Sequence, residues 1–297
     1  MRVLLTGSTG FVGGVVQEQW KELVLWPRSA DLTDHDAVVA ELGRLDLDRV
    51  DAVLHLAAQS NPAKSMDCAV GTWQVNLMGT VHLLEGLAQA GWRGAFLFAS
   101  SGAVYGGITG RVDEESPTRL SSPYVASKLA AESAVFEWAL RTGNRGLVAR
   151  PFNHSGPGQS TRYFLPSMAR QISCLPAEGG QIEVGNLEVQ RDFCHVRDVV
   201  RAYRALLQRG KSGEISNLAS GRSVTLDDVL AKMAELSGRE VRFKVTPERF
   251  REEDPRPVEV DLGKVLEHAG WQAEVDLDSL LQDLLQDWKT RDCQSQH

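Results

Sequence analysis

The sequence predicts an α/β protein: a doubly wound parallel sheet followed by a smaller α/β C-terminal lobe. Three observations carry that prediction. A short apolar run, Val3-Leu4-Leu5, leads straight into glycines spaced G-x-x-G-x-x-G at Gly7, Gly10 and Gly13. Apolar runs of strand length then recur at 23–25, 52–58, 95–99 and 146–150, alternating with helical stretches. Strands separated by helices imply right-handed crossovers and a parallel sheet. From Pro151 onward, in Pro151-Phe152-Asn153-His154-Ser155-Gly156-Pro157-Gly158, that rhythm breaks. The boundary therefore falls after residue 150, with 151–297 mainly a second lobe and about 190–220 returning to the first.

Composition bounds what the chain does. Of 297 residues, 42% are hydrophobic and 24% charged, ordinary for a globular protein. A formal charge of −7 gives no electrostatic reason to expect nucleic acid or an anionic membrane as partner. No apolar run approaches ~20 residues, so no transmembrane helix is expected. The first apolar run is too short, and too soon followed by glycines, for a signal peptide. Cys68, Cys174, Cys194 and Cys293 are scattered without a C-x-x-C pair. They read as reduced thiols of a cytoplasmic protein, with no metal site or disulfide frame.

The glycine turn is the first functional signal. Between a strand and a helix, Gly7, Thr9, Gly10, Phe11, Val12 and Gly13 permit a tight bend and let backbone approach a pyrophosphate. The helix N-terminus beyond them offers N–H groups to that anion. A dinucleotide site follows. After the second strand an acid is expected where a ribose 2′-hydroxyl is bound, but the chain reads Trp26-Pro27-Arg28-Ser29. Arg28 suits a 2′-phosphate, which favours NADPH, with NADH as the alternative; it also fits a solvated loop. Asp31 and Leu32 are placed near the adenine, and Asp34 as a helix cap. The third strand ends in Leu56, Ala57 and Ala58, small enough to let a cofactor lie close. His55 reads as a packed, satisfied histidine, and Ser60, in the loop after Gln59, as a phosphate or substrate contact.

The second signal lies further on. The fourth strand delivers Ser100 and Ser101, on the side of a doubly wound sheet that faces the ligand crevice. Ser122-Pro123 then opens a helix carrying Tyr124-Val125-Ala126-Ser127-Lys128. Tyrosine and lysine four apart share one helix face. An ammonium near a phenol lowers its pKa from ~10; reaching neutrality takes roughly 3 units, about 4 kcal/mol. Such a tyrosine exchanges a proton with an alcohol oxygen. Alone, the spacing fits a solvated helix face equally; the glycine turn and Ser101 make it a site. Residues 69–91 read as one long helix whose stripe of Leu77, Val81, Leu84 and Leu87 is core or, in part, a subunit seam. Arg191 suits a diphosphate, or an internal pair with Asp192 or Asp198. Leucines at 277, 280, 281, 284 and 285 give the last helix an apolar face.

These features together resemble the extended short-chain dehydrogenase/reductase family, over nearly the whole chain. Within it, Pro151 to Gln159 is similar to the P-F-N-H-T-G-P-G-Q of the GDP-mannose-processing branch. Gly185-Asn186-Leu187 and Arg191-Asp192-Phe193 with Val196-Arg197-Asp198-Val199-Val200 resemble its G-N-L…R-D-F-x-D-V-R-D-V-V. His195 stands where that branch more often has Asp. The resemblance implies a Rossmann-type fold, NADP-dependent oxidoreductase chemistry and a homodimer joined along helices 72–91 and 123–142. It implies a catalytic set of Ser101, Tyr124 and Lys128, with Lys128 also on the nicotinamide ribose and His154 on NADP. It places Asn153 on the nucleotide sugar, and Arg191 and Arg251 on the GDP phosphates or ribose; Arg251 matches an R-x-x-D/E pattern through Asp254.

Dehydratases of the branch carry an acid two residues before the tyrosine of S-x-E-x-Y-G. Here that residue is Ala103, which neither gives nor takes a proton. Elimination loses its acid, and reduction of a ketone survives. The expected reaction is NADPH-dependent reduction of the C4 ketone of a GDP-linked 4-keto-6-deoxyhexose, giving GDP-D-rhamnose or its C4 epimer GDP-6-deoxy-D-talose. The alternatives are a nucleotide-sugar 4-epimerase, a dehydratase-like enzyme rescued by Glu114 or Glu115, and a non-catalytic NADP-binding regulator.

Overall fold

The apolar runs of the first half are buried on both faces, as interior parallel strands must be, except for Leu23–Leu25 at the sheet edge. In the computed structural model, which describes residues 1–250 and 258–291, each becomes a strand. The first half runs β1 (Val3–Thr6), α1 (Phe11–Gln19), β2 (Leu23–Leu25), α2 (His35–Leu42), β3 (Ala52–His55), α3 (Pro62–Asp67), α4 (Ala69–Trp73), α5 (Gly79–Gln89), β4 (Ala95–Ala99), β5 (Gly110–Val112), α6 (Pro123–Thr142) and β6 (Arg145–Pro151). The second half runs β7 (His154–Ser155), α7 (Phe164–Ser173), β8 (Gly180–Val184), β9 (Gln190–Asp192), β10 (Cys194–His195), α8 (Val196–Arg209), β11 (Glu214–Leu218), β12 (Ser223–Thr225), α9 (Leu226–Ser237), β13 (Val241–Val245), β14 (Val258–Val260), α10 (Gly263–Ala269) and α11 (Leu277–Thr290).

Six strands form one parallel sheet in the order β11-β6-β4-β3-β1-β2. Alternation along each strand divides its side chains between two helix layers. Val3, Leu5, Leu54 and Leu97 face α1, α8 and α10. Leu4, Val53, Phe96 and Phe98 face α2, α5 and α6. The segment after the second lobe begins thus returns: α8 covers this sheet and β11 adds its edge strand beside β6. A separate core, built from Leu165, Ile172, Ile182, Leu230, Leu281 and Leu284, joins β8, α7, α9 and α11 into the smaller lobe.

Two expectations need correction. The helix expected over 69–91 is interrupted by a π-helical turn at Gln74–Met78. That turn aims Asn76 inward, where its amide accepts from Gln59 N (2.7 Å) and donates to Gln59 O (3.1 Å) and Ser127 Oγ (3.0 Å). Side-chain bonds that bridge a loop and a neighbouring helix stabilise the wider turn, and such turns gather at functional sites. Leu84 and Leu87 of the apolar stripe are core, and Leu77 packs against it. Cys68 and Cys194 are free thiols, but Cys174 is disulfide-bonded. Cysteine usage therefore no longer argues for a reducing compartment. Among the described residues no helix is long and apolar enough to cross a membrane.

The glycine turn leaves no room for a side chain at its last glycine. A Cβ at Gly13 would collide with the Gly7 carbonyl oxygen and lie 2.8 Å from Ser8 Cα. Gly13→Ala is expected to cost about 1–3 kcal/mol by overpacking, read as a lower urea midpoint at unchanged slope. An unchanged midpoint would show that the turn relaxes freely.

Candidate active site

The cleft lies where strand ends meet the smaller lobe. It has a volume of about 1610 Å³, large for a single drug-sized ligand, and takes its lining from both lobes. Its floor at one end is the β1–α1 turn. Gly7 adopts φ +70°, and a Cβ there would stand 2.7 Å from Ala57 N. Only glycine combines that left-handed backbone with that approach. Gly10 begins α1 with no side-chain cap, so the first-turn N–H groups of a nine-residue helix are left for an anion. Gly7, Thr9, Gly10, Phe11, Val12, Gly13, Leu56, Ala57 and Ala58 all line the cleft. A cradle without side chains at a helix N-terminus fits a dinucleotide pyrophosphate.

Arg28, Asp31 and Leu32, the expected contacts on the adenine side, do not line the cleft. Arg28 is exposed, and its Nε donates to Thr9 Oγ1 (3.3 Å), which brings the guanidinium to the glycine turn. The Asp31 carboxylate accepts from Thr33 N and Oγ1, both 2.9 Å. Leu32 packs over Gly79, and its carbonyl accepts from His82 (3.0 Å). His55 is satisfied as expected, between Thr6 Oγ1 (2.7 Å) and Thr80 Oγ1 (3.0 Å). Burial lowers its pKa to about 3, so it stays neutral.

Ser101, Tyr124 and Lys128 all line the cleft. Ser122 caps α6 by accepting from Val125 N (3.3 Å), with Pro123 in the first turn, so the local signal in the sequence sets the helix start. Tyr124 is buried, and its N–H donates to Ser65 Oγ (3.2 Å). The Ser101 side chain lies near enough to the phenol to pull its pKa down, and it accepts from Ala103 N (3.1 Å). Lys128 Nζ donates to Ala99 O (2.6 Å) and stands 4.6 Å from the centre of the Phe98 ring. Burial lowers the Lys128 pKa to about 8, with Glu132 pulling it up.

The phenol differs from expectation. Burial raises the Tyr124 pKa, the Ser101 side chain opposes that, and Tyr163 adds to it. The physical reason is geometric: the ammonium is turned to the Ala99 carbonyl and the Phe98 face, so desolvation outweighs attraction between lysine and phenol.

The remaining expected contacts divide. Ser60, Asn153, His154 and Arg191 line the cleft. His154 stacks nearly parallel (4°) to Phe11 at 6.3 Å and contacts the Phe152 carbonyl through Nδ1 (2.9 Å); burial lowers its pKa. Arg191 donates to Gln190 O (3.0 Å). Asp192 accepts from Ser220 N (2.8 Å) and Arg222 N (3.0 Å), while Asp198 pairs with Arg201 (2.8 Å). Arg251 lies outside the described residues. The cleft also gathers Arg119, Arg162 and Tyr163, which sequence reasoning missed. Arg162 and Tyr163 follow the Pro151–Gln159 stretch directly and were within reach; Arg119 carries no local signal.

Among the described residues, no carboxylate replaces the acid missing at Ala103. The acidic residues lining the cleft are Glu183 and Asp192, both in the smaller lobe. Glu114 is buried away from the cleft, where it accepts from Asn217 N (2.7 Å) and burial raises its pKa. Glu115 faces Lys264 at 3.6 Å.

Comparison with known proteins agrees with this geometry. The GDP-6-deoxy-D-mannose reductase of Pseudomonas aeruginosa is 36% identical over 302 aligned residues, covering 98% of each chain. The structure of RMD from Pseudomonas aeruginosa complexed with NADPH matches at a TM-score of 0.87 and 34% identity, covering 98% of this chain and 99% of its own. The UDP-glucose 4-epimerase of Thermus thermophilus, solved with NAD, matches at a TM-score of 0.83 and 27% identity over 98% of this chain and 99% of its own. A family match over residues 3–219, from the glycine turn through the tyrosine helix to β11, places the chain in the NAD dependent epimerase/dehydratase family.

Proposed function

We propose that this protein reduces the C4 ketone of GDP-4-keto-6-deoxy-D-mannose with NADPH, forming GDP-D-rhamnose. One observation carries the choice of reduction over elimination: the turn that follows Ser101 presents Ala103, and no carboxylate of the described residues reaches its place. The near-full-length likeness to a GDP-6-deoxy-D-mannose reductase supports both the sugar and the stereochemistry. The NADPH complex of its structural neighbour supports the cofactor.

The glycine turn, with Arg28 at the 2′-phosphate and Asp31 and Leu32 near the adenine, would hold the dinucleotide, which when bound would supply hydride for the ketone carbon. This chain's residues handle the proton. Ser101 donates to the carbonyl oxygen and stabilises the charge that develops there. Tyr124 gives its proton to that oxygen. A phenol held protonated by burial is the correct starting form for an acid, and an alkoxide is basic enough to take its proton. Lys128 then balances the tyrosinate and holds the nicotinamide ribose. Asn153 contacts the sugar and His154 the dinucleotide. Arg162, Arg191 and Arg251 serve the diphosphate and ribose through charge-assisted hydrogen bonds.

A homodimer fits the surface. Met66, Val70 and Trp73 on α3 and α4 and Leu140 on α6 are exposed apolar side chains, with Val70 75% and Leu140 88% accessible. Neighbouring helices bearing unpaired apolar residues favour a second copy of the same face. Sedimentation velocity is expected to give a dimer that Val70→Glu with Leu140→Glu converts to monomer; a monomeric parent would refute it.

Tyr124→Phe is expected to lower keto-sugar reduction by roughly 10²–10⁴-fold while NADPH affinity, followed by fluorescence, stays within a few-fold. Undiminished turnover would rule out the proton-transfer role. Arg28→Ala is expected to weaken NADPH about tenfold, near 1.4 kcal/mol, with NADH unaffected; equal weakening of both would reject the 2′-phosphate contact. Product identification by NMR separates the readings, and protein that purifies with stoichiometric NAD and interconverts C4 epimers would favour an epimerase.

A further inference from the structure

We infer that Glu132 is a positioning residue of this site: its buried carboxylate holds the charge of Lys128 and clamps the serine-bearing strand end to the catalytic helix. Tyr124, Lys128 and Glu132 stand at i, i+4 and i+8 of α6, on one face. Glu132 is 4% exposed. One of its oxygens accepts from Ser100 Oγ, the residue before Ser101. Arg150, at the end of β6, grips both oxygens, with Nε to Oε1 at 3.0 Å and Nη2 to Oε2 at 2.6 Å. Arg150 also donates to Tyr105 Oη (2.9 Å), and that hydroxyl donates to Asn217 Oδ1 (2.8 Å) on β11. One carboxylate thus ties α6 to β4 and β6, and through them to β11.

A buried ion pair is a poor device for stability, since apolar residues of similar volume often serve as well. Its place under the catalytic pair gives it another use. Lys128 has Tyr124 and Glu132 one turn to either side on its own helix, and its charge acts on the buried His55 of β3; Arg150 on β6 and Tyr105 in the turn after β4 join the network through the Glu132 carboxylate. His55 is neutral, and burial keeps Tyr105 protonated. Among the described residues, Glu132 is the anion that acts on Lys128, and its upward pull against burial is part of what leaves the pKa at about 8. Without that carboxylate, Lys128 would lose its proton within the working range of most enzymes.

The kinetic part of the test rests on the reductase reading; the spectroscopic part does not. Glu132→Gln alone leaves Arg150 buried without a counter-charge and risks misfolding, so Glu132→Gln with Arg150→Gln removes the pair as a unit. Lysine labelled with ¹³C at Cε reports the Lys128 titration directly, its signal assigned by loss in Lys128→Met. The parent midpoint is expected near 8, and the paired variant about one pH unit lower, a tenfold change in proton affinity. The alkaline limb of NADPH-dependent reduction should move down with it. Glu132→Asp, which keeps the charge, should leave the midpoint near that of the parent; Glu132→Leu with Arg150→Met, an apolar replacement of the pair, takes the place of the paired variant if that one does not fold, with the same downward shift expected. A Lys128 midpoint unmoved in whichever charge-free variant folds, or lowered just as far by Glu132→Asp, with or without lost activity, would make Glu132 merely structural and overturn the inference. A shifted midpoint in protein that reduces no keto-sugar would uphold it and sink the reductase reading instead.

Discussion

Helix α6 can present Tyr124 and Lys128 because the face it turns to the sheet is polar where the site needs it and apolar elsewhere. Ala131, Val135 and Trp138 fill the core between the sheet and α5. One end of the same face carries Ser127, Lys128 and Glu132, all buried and each with a specific partner. Apolar contact alone would let the helix slide and rotate by small amounts at little cost. Directional bonds to Asn76, Ala99 O and Arg150 remove that freedom, and a proton donor has to be placed to a fraction of an ångström.

The sheet order explains why the ligands meet there. From β1 the chain goes to β2 on one side and to β3 on the other, so a crevice opens between β1 and β3 at their C-terminal ends. The glycine turn and Ala57 line that crevice. β4 and β6, next in order, deliver Ser101 and the Asn153–His154 turn along the same edge. A cofactor laid across the crevice therefore reaches the proton-transfer group without a long loop, and the smaller lobe has only to close one side.

What the sequence made legible was local. The glycine turn, the capped start of α6 and the Tyr124–Lys128 spacing are each written within a few consecutive residues, and backbone geometry translates them directly. The absence of an acid at Ala103 is local too. What stayed hidden depends on residues far apart in the chain. Glu132 and Arg150 are joined across two elements, and only the eight-residue spacing from Tyr124 hinted at the first of them. The π-helical turn has no compositional mark; Asn76 looked like one polar residue in a helix. The direction of the Tyr124 shift could not be read either, since it depends on how much water the fold excludes and on where the lysine points. The disulfide at Cys174 shows the same limit, because spacing in sequence does not reveal distance in space.

The π-helical turn has a further consequence. A turn of this kind holds one residue more than the α-helix it interrupts. Removing one residue from Gln74–Met78 would heal the hydrogen-bond ladder and give a smoother helix. It would also rotate everything beyond the deletion by about 100°, taking either Asn76 from Ser127 or the leucines of α5 from the core. The helix keeps its irregularity because two neighbours need different angular registers from one rod: the sheet sets that of Leu84 and Leu87, and the catalytic helix sets that of Asn76. The extra residue is the gear that lets both mesh.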